Sequence, residues 1–232
     1  MKTSPFDAGR FFVFEFENSL LPALLIFRIL FGIFYAQKKR RIMLTAKPLA
    51  VSRYLSLTSD RALARVLWIV TFAILTAAGA QIEIPHQPVP YTMQTLFVLL
   101  AGALLGKRNG PISMCLYLGL GLAGLPVFSG AGFGFARILG PTGGYLIAFP
   151  IAAFVVGYLV PLRMNFGWIL ASMVVGLLII FTLGTLQLNF VYTHDWKAAF
   201  NAGFLIFSWW DGVKLFAAAT IAWQYRKTVL LS

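Results

Sequence analysis

The sequence predicts an all-α polytopic membrane protein, with a six-helix transmembrane core whose two ends face the cytoplasm. Three observations carry this. The 232 residues are 59% hydrophobic and only 11% charged, with a mean hydropathy of +0.83. Soluble domains are about 45–50% apolar and about 25% charged, so a soluble domain and a disordered chain are both excluded. Six apolar runs follow one another from Leu63 onward, on the scale of the ~20 residues that cross a bilayer. No stretch of about ten residues alternates apolar and polar side chains, as the strands of an outer-membrane barrel do.

Residues 1–60 differ from the rest and read as an N-terminal extension. They are rich in Lys and Arg and hold one apolar stretch, Leu20 to Ala36, interrupted by Arg28 and followed by Lys38-Lys39-Arg40-Arg41. A central arginine adds roughly 2.5–3.5 kcal/mol to insertion of such a stretch. A signal sequence fits poorly, because the basic run is on the wrong side of the apolar core and no small-residue cleavage site follows. Two readings stay open: an extra helix, or a true start at Met43 preceded by translated upstream sequence. On either reading, function is expected not to need residues 1–42. The core is expected over 61–226, with 227–232 as a cytoplasmic tail.

Within the core the runs are Leu63–Ala80, Thr92–Gly106, Pro111–Phe128, Gly143–Leu162, Phe166–Tyr192 and Phe204–Trp223. Lys47, Arg53, Arg61 and Arg65 precede the first run. Lys107 and Arg108 follow the second, Arg163 the fourth, and Arg226 and Lys227 the last. The alternate loops carry only Arg137 and Lys197, beside Glu83 and Asp195. Cytoplasmic loops collect Lys and Arg, so the first set is placed in the cytoplasm and the second outside. This topology accounts for the net charge of +12 without invoking nucleic acid. One cysteine, Cys115, forms no internal disulfide, and two distant histidines suggest no metal centre.

The outward segments carry the chemistry. Glu83-Ile-Pro-His-Gln-Pro-Val-Pro-Tyr91 holds three prolines, which fix φ and push their predecessors into extended geometry. A stiff, extended flap is expected, with His86 as a flap residue. Ser129-Gly-Ala-Gly-Phe-Gly-Phe135 is glycine-rich and able to approach something closely. Leu139-Gly-Pro-Thr-Gly-Gly-Tyr145 reads as a turn entering a helix. Two nucleotide-like strings carry nothing. Gly119-Leu-Gly-Leu-Ala-Gly124 lies inside an apolar run with no preceding strand, and Gly102–Lys107 is one residue short of a P-loop, with Arg108 where Ser or Thr should stand. The chain is not expected to be an ATPase, so active transport would draw on a partner or an ion gradient.

Asp211 and Lys214 are the sharpest signal. Spacing i, i+3 puts both on one face of the last helix, and ionisable groups inside a span face a cavity or each other. They read either as a ligand site or as a mutually satisfied pair. Trp209 and Trp210 supply a wall or belong to the interfacial belt. Gln94 offers an amide and Tyr91 a ring and hydroxyl at the same mouth. Arg137 is placed to hold a carboxylate or to snorkel. Ala73 and Ala77, four apart, let another helix approach closely, within this chain or from a partner.

Together these residues resemble a known family. Pro85-His-Gln-Pro-Val-Pro-Tyr-Thr-Met-Gln-Thr-Leu-Phe-Val-Leu-Leu-Ala-Gly-Ala-Leu-Leu-Gly106, Gly121-Leu-Ala-Gly-Leu-Pro-Val-Phe128, Leu139–Tyr145 and Asp211-x-x-Lys214 are similar to the hallmarks of the BioY family of biotin transporters. The likeness runs in order from about Leu63 to Trp223. It implies a substrate-binding (S) component of an energy-coupling-factor transporter, with six helices, both ends cytoplasmic and biotin bound near the external face. The loop between the first two helices would close over the site. It also implies a membrane coupling protein and a pair of ATPases as partners, although some members are reported to act without them. Ala73 and Ala77 match the family's docking signature, and Asp211 and Lys214 its acidic–lysine pair. Where the family has proline and glycine before that aspartate, this chain has Trp209 and Trp210. Tyr91, Gln94, Arg137, Asp211 and Lys214 are therefore the expected substrate-binding residues, with no cofactor and no metal. A membrane enzyme would want paired acids or a nucleophile–base pair, and an ion-driven carrier a second buried acid or inverted repeats; the sequence offers neither.

Overall fold

The structure, a computed structural model, describes the backbone of residues 50–163, 165–205 and 209–230, and side chains over 62–163, 165–205 and 210–227. The chain divides into two units, Met1–Asp60 and Arg61–Ser232. The apolar stretch Leu20 to Ala36, the basic run after it, Met43 and the side chain of Trp209 lie outside the described residues.

Helices dominate. Helix α1 is Ala50–Gln81, followed by a short hairpin of β1 (Glu83–Ile84) and β2 (Tyr91–Thr92). Helix α2 is Gln94–Leu122; a single 3₁₀ turn, Ser129–Ala131, and the short α3, Phe135–Leu139, lead into α4, Gly143–Leu159. Helix α5 is Phe166–Leu188, α6 is Trp196–Ala199 and α7 is Trp209–Leu230. Three helical segments, Ala62–Gln81, Gly143–Leu162 and Phe166–Thr193, are long and apolar enough to cross a membrane among the described residues. With the other helices they make the mostly helical membrane protein that the composition predicts.

Helix α2 is two arms. Gly106 has φ 79° and ψ −179°, a conformation that breaks the helix. The chain then folds back, since a Cβ on Gly110 would lie 3.0 Å from the Ala101 carbonyl oxygen. This backbone region is close to glycine-only. Space beside Gly106 is open, with nothing within 4 Å of a built Cβ. The cost of a side chain there is therefore backbone strain alone. Gly106→Ala is expected to destabilise the protein by about 1–3 kcal/mol, read as a lower melting midpoint in detergent; an unchanged midpoint would show that the turn relaxes.

The core forms where α2 packs on α4, α4 on α5, and both α2 and α5 on α7. The α2–α4 contact is backbone-close: a Cβ on Gly102 would stand 2.6 Å from the Ala153 carbonyl oxygen. Small residues make such an approach possible, and dispersion between the helices is the return. Buried Val98, Leu99, Met114, Val156, Met173 and Leu177 fill the interior.

The non-helical segments gather around the start of α2. The hairpin pairs Glu83 with Thr92 and Ile84 with Tyr91, so the proline-rich stretch is non-helical but extended only at its ends, bending back at 87–89, and Met93 N–H donates to the Gly79 carbonyl at 3.0 Å. The glycine-rich stretch closes on itself through a Phe128–Gly132 bridge and donates from Gly134 N–H to the Gly121 carbonyl at 2.8 Å. Gln187 on α5 ties the turn into α4, donating to the Ile138 and Gly140 carbonyls at 2.7 and 2.9 Å.

The stretch 193–202, between the last two apolar runs, is largely helical. Widened turns, Asn189–Thr193 and Phe200–Phe204, flank α6. Asp195 caps α6 by accepting from Lys197 N–H at 2.9 Å, and Phe190 meets Trp196 edge-on at 6.0 Å. The cap and the aromatic contacts organise a segment whose polarity suggests only a turn. Phe204 belongs to this region, and α7 is described from Trp209 onward.

Candidate functional site

A cavity of about 680 Å³, including its open mouth, lies between the root of the hairpin, the start of α2, the glycine-rich stretch, α3, and the first turns of α4 and α7. Its walls are apolar where Phe128, Leu146, Phe149, Ile180 and Phe181 face in. Tyr91, Gln94, Arg137, Asp211 and Lys214, the five polar residues singled out by the sequence, all line it.

Asp211 and Lys214 sit in the first turns of α7. Lys214 Nζ lies 2.6 Å from Asp211 Oδ1, with the two side chains only 5% and 4% exposed respectively. The ammonium also donates to the Thr92 carbonyl and to Thr95 Oγ1, each at 2.9 Å. An ammonium has three hydrogens, and here each has a partner. The pair is thus mutually satisfied and cavity-facing at once; the two readings of the sequence do not compete. It also fastens α7 to the root of the hairpin.

Gln94 is buried at the start of α2 and belongs to a relay. Its Oε1 accepts from the Thr92 hydroxyl at 2.9 Å, and its Nε2 donates to the Tyr117 hydroxyl, which donates in turn to the Val127 carbonyl at 3.2 Å. The relay runs from the hairpin to the stretch that enters the glycine-rich segment. Tyr91 is half-buried, and its ring meets His86 edge-on at 5.2 Å, so His86 packs within the flap. Arg137, half-buried on α3, lies so close over Gly132 that a Cβ there would strike its guanidinium. Glycine at 132 is what lets the guanidinium lie along the backbone.

Sequence reasoning missed Thr92, Thr95, Tyr117 and Tyr145. The threonines stand beside Gln94 in Tyr91-Thr-Met-Gln-Thr95, a polar cluster at the mouth of an apolar run, and that clustering was the available signal. Tyr145 donates to the Gly203 carbonyl at 2.9 Å and lines the same cavity. Trp210 is half-buried and not among the cavity's lining residues. Ala73 and Ala77 lie apart from the cavity on α1, Ala73 fully buried and Ala77 half-buried.

Chemically, the cavity offers a buried acceptor and donor at one wall, a guanidinium at another, and aromatic and aliphatic surface between. That suits a small, mainly apolar molecule carrying a hydrogen-bonding head and an anionic group.

Comparison with known proteins agrees in scale. The sequence profile of the BioY family matches residues 48–230, beginning upstream of the expected core boundary. A biotin transporter BioY from Thermotoga maritima is 46% identical over 156 residues, 67% of this chain and 92% of that protein. Another from Rhizobium etli is 35% identical over 167 residues, 67% of this chain and 89% of that protein. The crystal structure of an S-component for biotin from an ECF-type ABC transporter superposes with a TM-score of 0.67 at 26% identity, covering 72% of this chain and 93% of that one. These relatives are transporters, not enzymes. With the apolar helices, the hairpin and the cavity at its root, they show that the chain belongs to the BioY family.

Proposed function

We propose that this chain takes up biotin across the bacterial cytoplasmic membrane as the substrate-binding component of an ATP-driven importer, and that the cavity is its binding site. The observation that carries this reading is the convergence of five polar side chains, from four separate elements, on one apolar cavity around a buried ion pair. Biotin has a ureido ring with two donors and one acceptor, an apolar body and a carboxylate. Asp211 accepts from a ring N–H, Lys214 donates to an oxygen of the ligand by exchanging one of its three protein partners, Gln94 holds the hairpin root, Tyr91 covers the apolar part, and Arg137 meets the carboxylate.

In this reading the core, 61–226, crosses the bilayer six times: α1, the two arms of α2, α4, α5 and α7. Both core ends are cytoplasmic, 227–232 is a tail, and the cavity opens outward with the hairpin as its flap. Basic loops at the opposite end support that orientation. Energy comes from a coupling protein and an ATPase pair, since no phosphate-binding loop is legible in this chain; the solved S-component's origin in an ECF-type transporter supports this. Docking uses α1. Ala73 is covered by the chain's own helices, so Ala77 and the exposed Ile74 offer the surface.

The test is binding to the purified protein in detergent, by calorimetry or radioligand retention, with thiamine and riboflavin as controls. Saturable retention of biotin alone is the expected result. No retention by protein shown to be folded would mean that the cavity serves another ligand.

A further inference from the structure

The end of the core remote from the cavity is rich in cations. The cavity lies at the starts of α4 and α7, and Arg163 follows the far end of α4 while Arg226 and Lys227 stand in the last turns of α7. Lys107 and Arg108 stand at the Gly106 turn, which packs against Gly157 near the same end of α4. Among the described side chains the acids are Glu83, Asp195 and Asp211, and none is at this end.

Three of these cations lie on aromatic rings. The Arg163 guanidinium is 4.8 Å from the Trp168 ring centroid, Lys227 Nζ 5.2 Å from that of Trp223, and Lys107 Nζ 5.4 Å from that of Tyr158. Two of the pairs adjoin. Phe166, at the start of α5, meets Trp223 on α7 edge-on at 6.1 Å. The start of α5 and the end of α7 are thereby joined, and each brings a ring-held cation. The Trp168 indole is itself pinned, donating from Nε1 to the Leu159 carbonyl at 2.9 Å.

We propose that this junction of α5 and α7 binds the phosphate of an anionic phospholipid headgroup, with Arg163 and Lys227 as its ligands. Indole rings settle at the headgroup level of a bilayer. A cation laid on such a ring is held at the depth of the lipid phosphates, and part of its side-chain entropy is already spent. That placement favours a lipid over an acidic protein surface, which would be met by cations reaching beyond the rings. Among the described side chains no acid lies near the junction to offset the attraction.

The test is retention of added phosphatidylglycerol against phosphatidylcholine by the full chain in detergent micelles, read by native mass spectrometry. Each cation near a membrane surface favours an anionic lipid by about five-fold, so a preference on the order of ten-fold or more is expected. Arg163→Gln with Lys227→Gln should cut the preference by about ten-fold or more and leave phosphatidylcholine retention unchanged, while Arg163→Lys with Lys227→Arg keeps it. If the double variant fails to fold, the single Gln variants read the same ratio at partial loss. Equal retention of the two lipids by the unaltered protein overturns the proposal. So does a preference that the Gln substitutions leave undiminished, displacement by inorganic phosphate at equal concentration, or a junction protected only by an acidic protein partner.

Discussion

Asp211→Ala is expected to destabilise the ligand-free protein by about 3–5 kcal/mol and to remove biotin binding, because it strands a buried ammonium. Lys214 has three partners, and Asp211 is the charged one, 2.6 Å away. Without it the cation sits 5% exposed with only a carbonyl and a hydroxyl to offset its lost hydration. A variant that removes both charges, Asp211→Asn with Lys214→Met, should recover part of the stability, since replacing a buried pair costs far less than breaking it. On the proposed site it should not recover binding, because a neutral amide replaces the charged acceptor and no donor stands in for the ammonium. Melting in detergent without ligand, followed by radioligand retention on the same samples, separates the two effects. Wild-type melting of Asp211→Ala would show that Lys214 reaches water and that the pair does not hold the fold. Wild-type affinity in the double variant would remove both residues from the ligand's contacts.

The fold was legible wherever composition and periodicity carry it. Apolar runs marked the long helices, prolines between Pro85 and Pro90 marked a non-helical segment, and Gly106 marked the end of a run that the structure breaks there. Polar side chains standing at the ends of apolar runs were legible as well, because such residues need a reason to be there. Partners were not. Lys214 meets Thr92 and Thr95 across 122 and 119 positions of chain, and no local pattern encodes a contact that the helix packing creates. Tyr117 is hidden for a related reason: in Cys115-Leu-Tyr-Leu-Gly119 it reads as one more apolar position, and only folding brings its hydroxyl to Gln94. The widened turns around α6 fail in the opposite sense. Thr193-His-Asp-Trp-Lys197 looks like a solvated loop, yet Asp195 serves as a cap, and aromatic contacts supply the order that polarity conceals. Small-residue spacing has a similar limit. Ala73 and Ala77 share a helix face, but the sequence does not say which of them the chain covers itself.

Gln94→Leu is expected to weaken biotin binding by about ten-fold or more and to lower the melting point of the ligand-free protein. Gln94 is 5% exposed, and both ends of its amide are engaged inside the protein. Leucine fills a similar volume but leaves the half-buried Thr92 hydroxyl without its acceptor and the buried Tyr117 oxygen without its donor, at about 1–3 kcal/mol for a fully buried group left unpaired and less for one that is half-buried or keeps another partner. The effect should reach the ligand through Thr92. Its hydroxyl bonds Gln94 while its carbonyl accepts from Lys214, so one residue at the root of the hairpin links the relay to the ion pair. Loosening it lets the ammonium and the hairpin shift together, and binding then has to restore an arrangement that the unaltered protein holds in advance. Tyr117→Phe isolates the far half of the relay: it keeps the Thr92–Gln94 bond and should produce a smaller loss of both quantities. Two measurements decide the matter, the ligand-free melting midpoint and the dissociation constant for biotin. If Gln94→Leu loses affinity while melting like the unaltered protein, the amide acts on the ligand alone. If both fall together and Tyr117→Phe follows at reduced size, the amide acts by holding the hairpin root in the geometry that the ion pair requires.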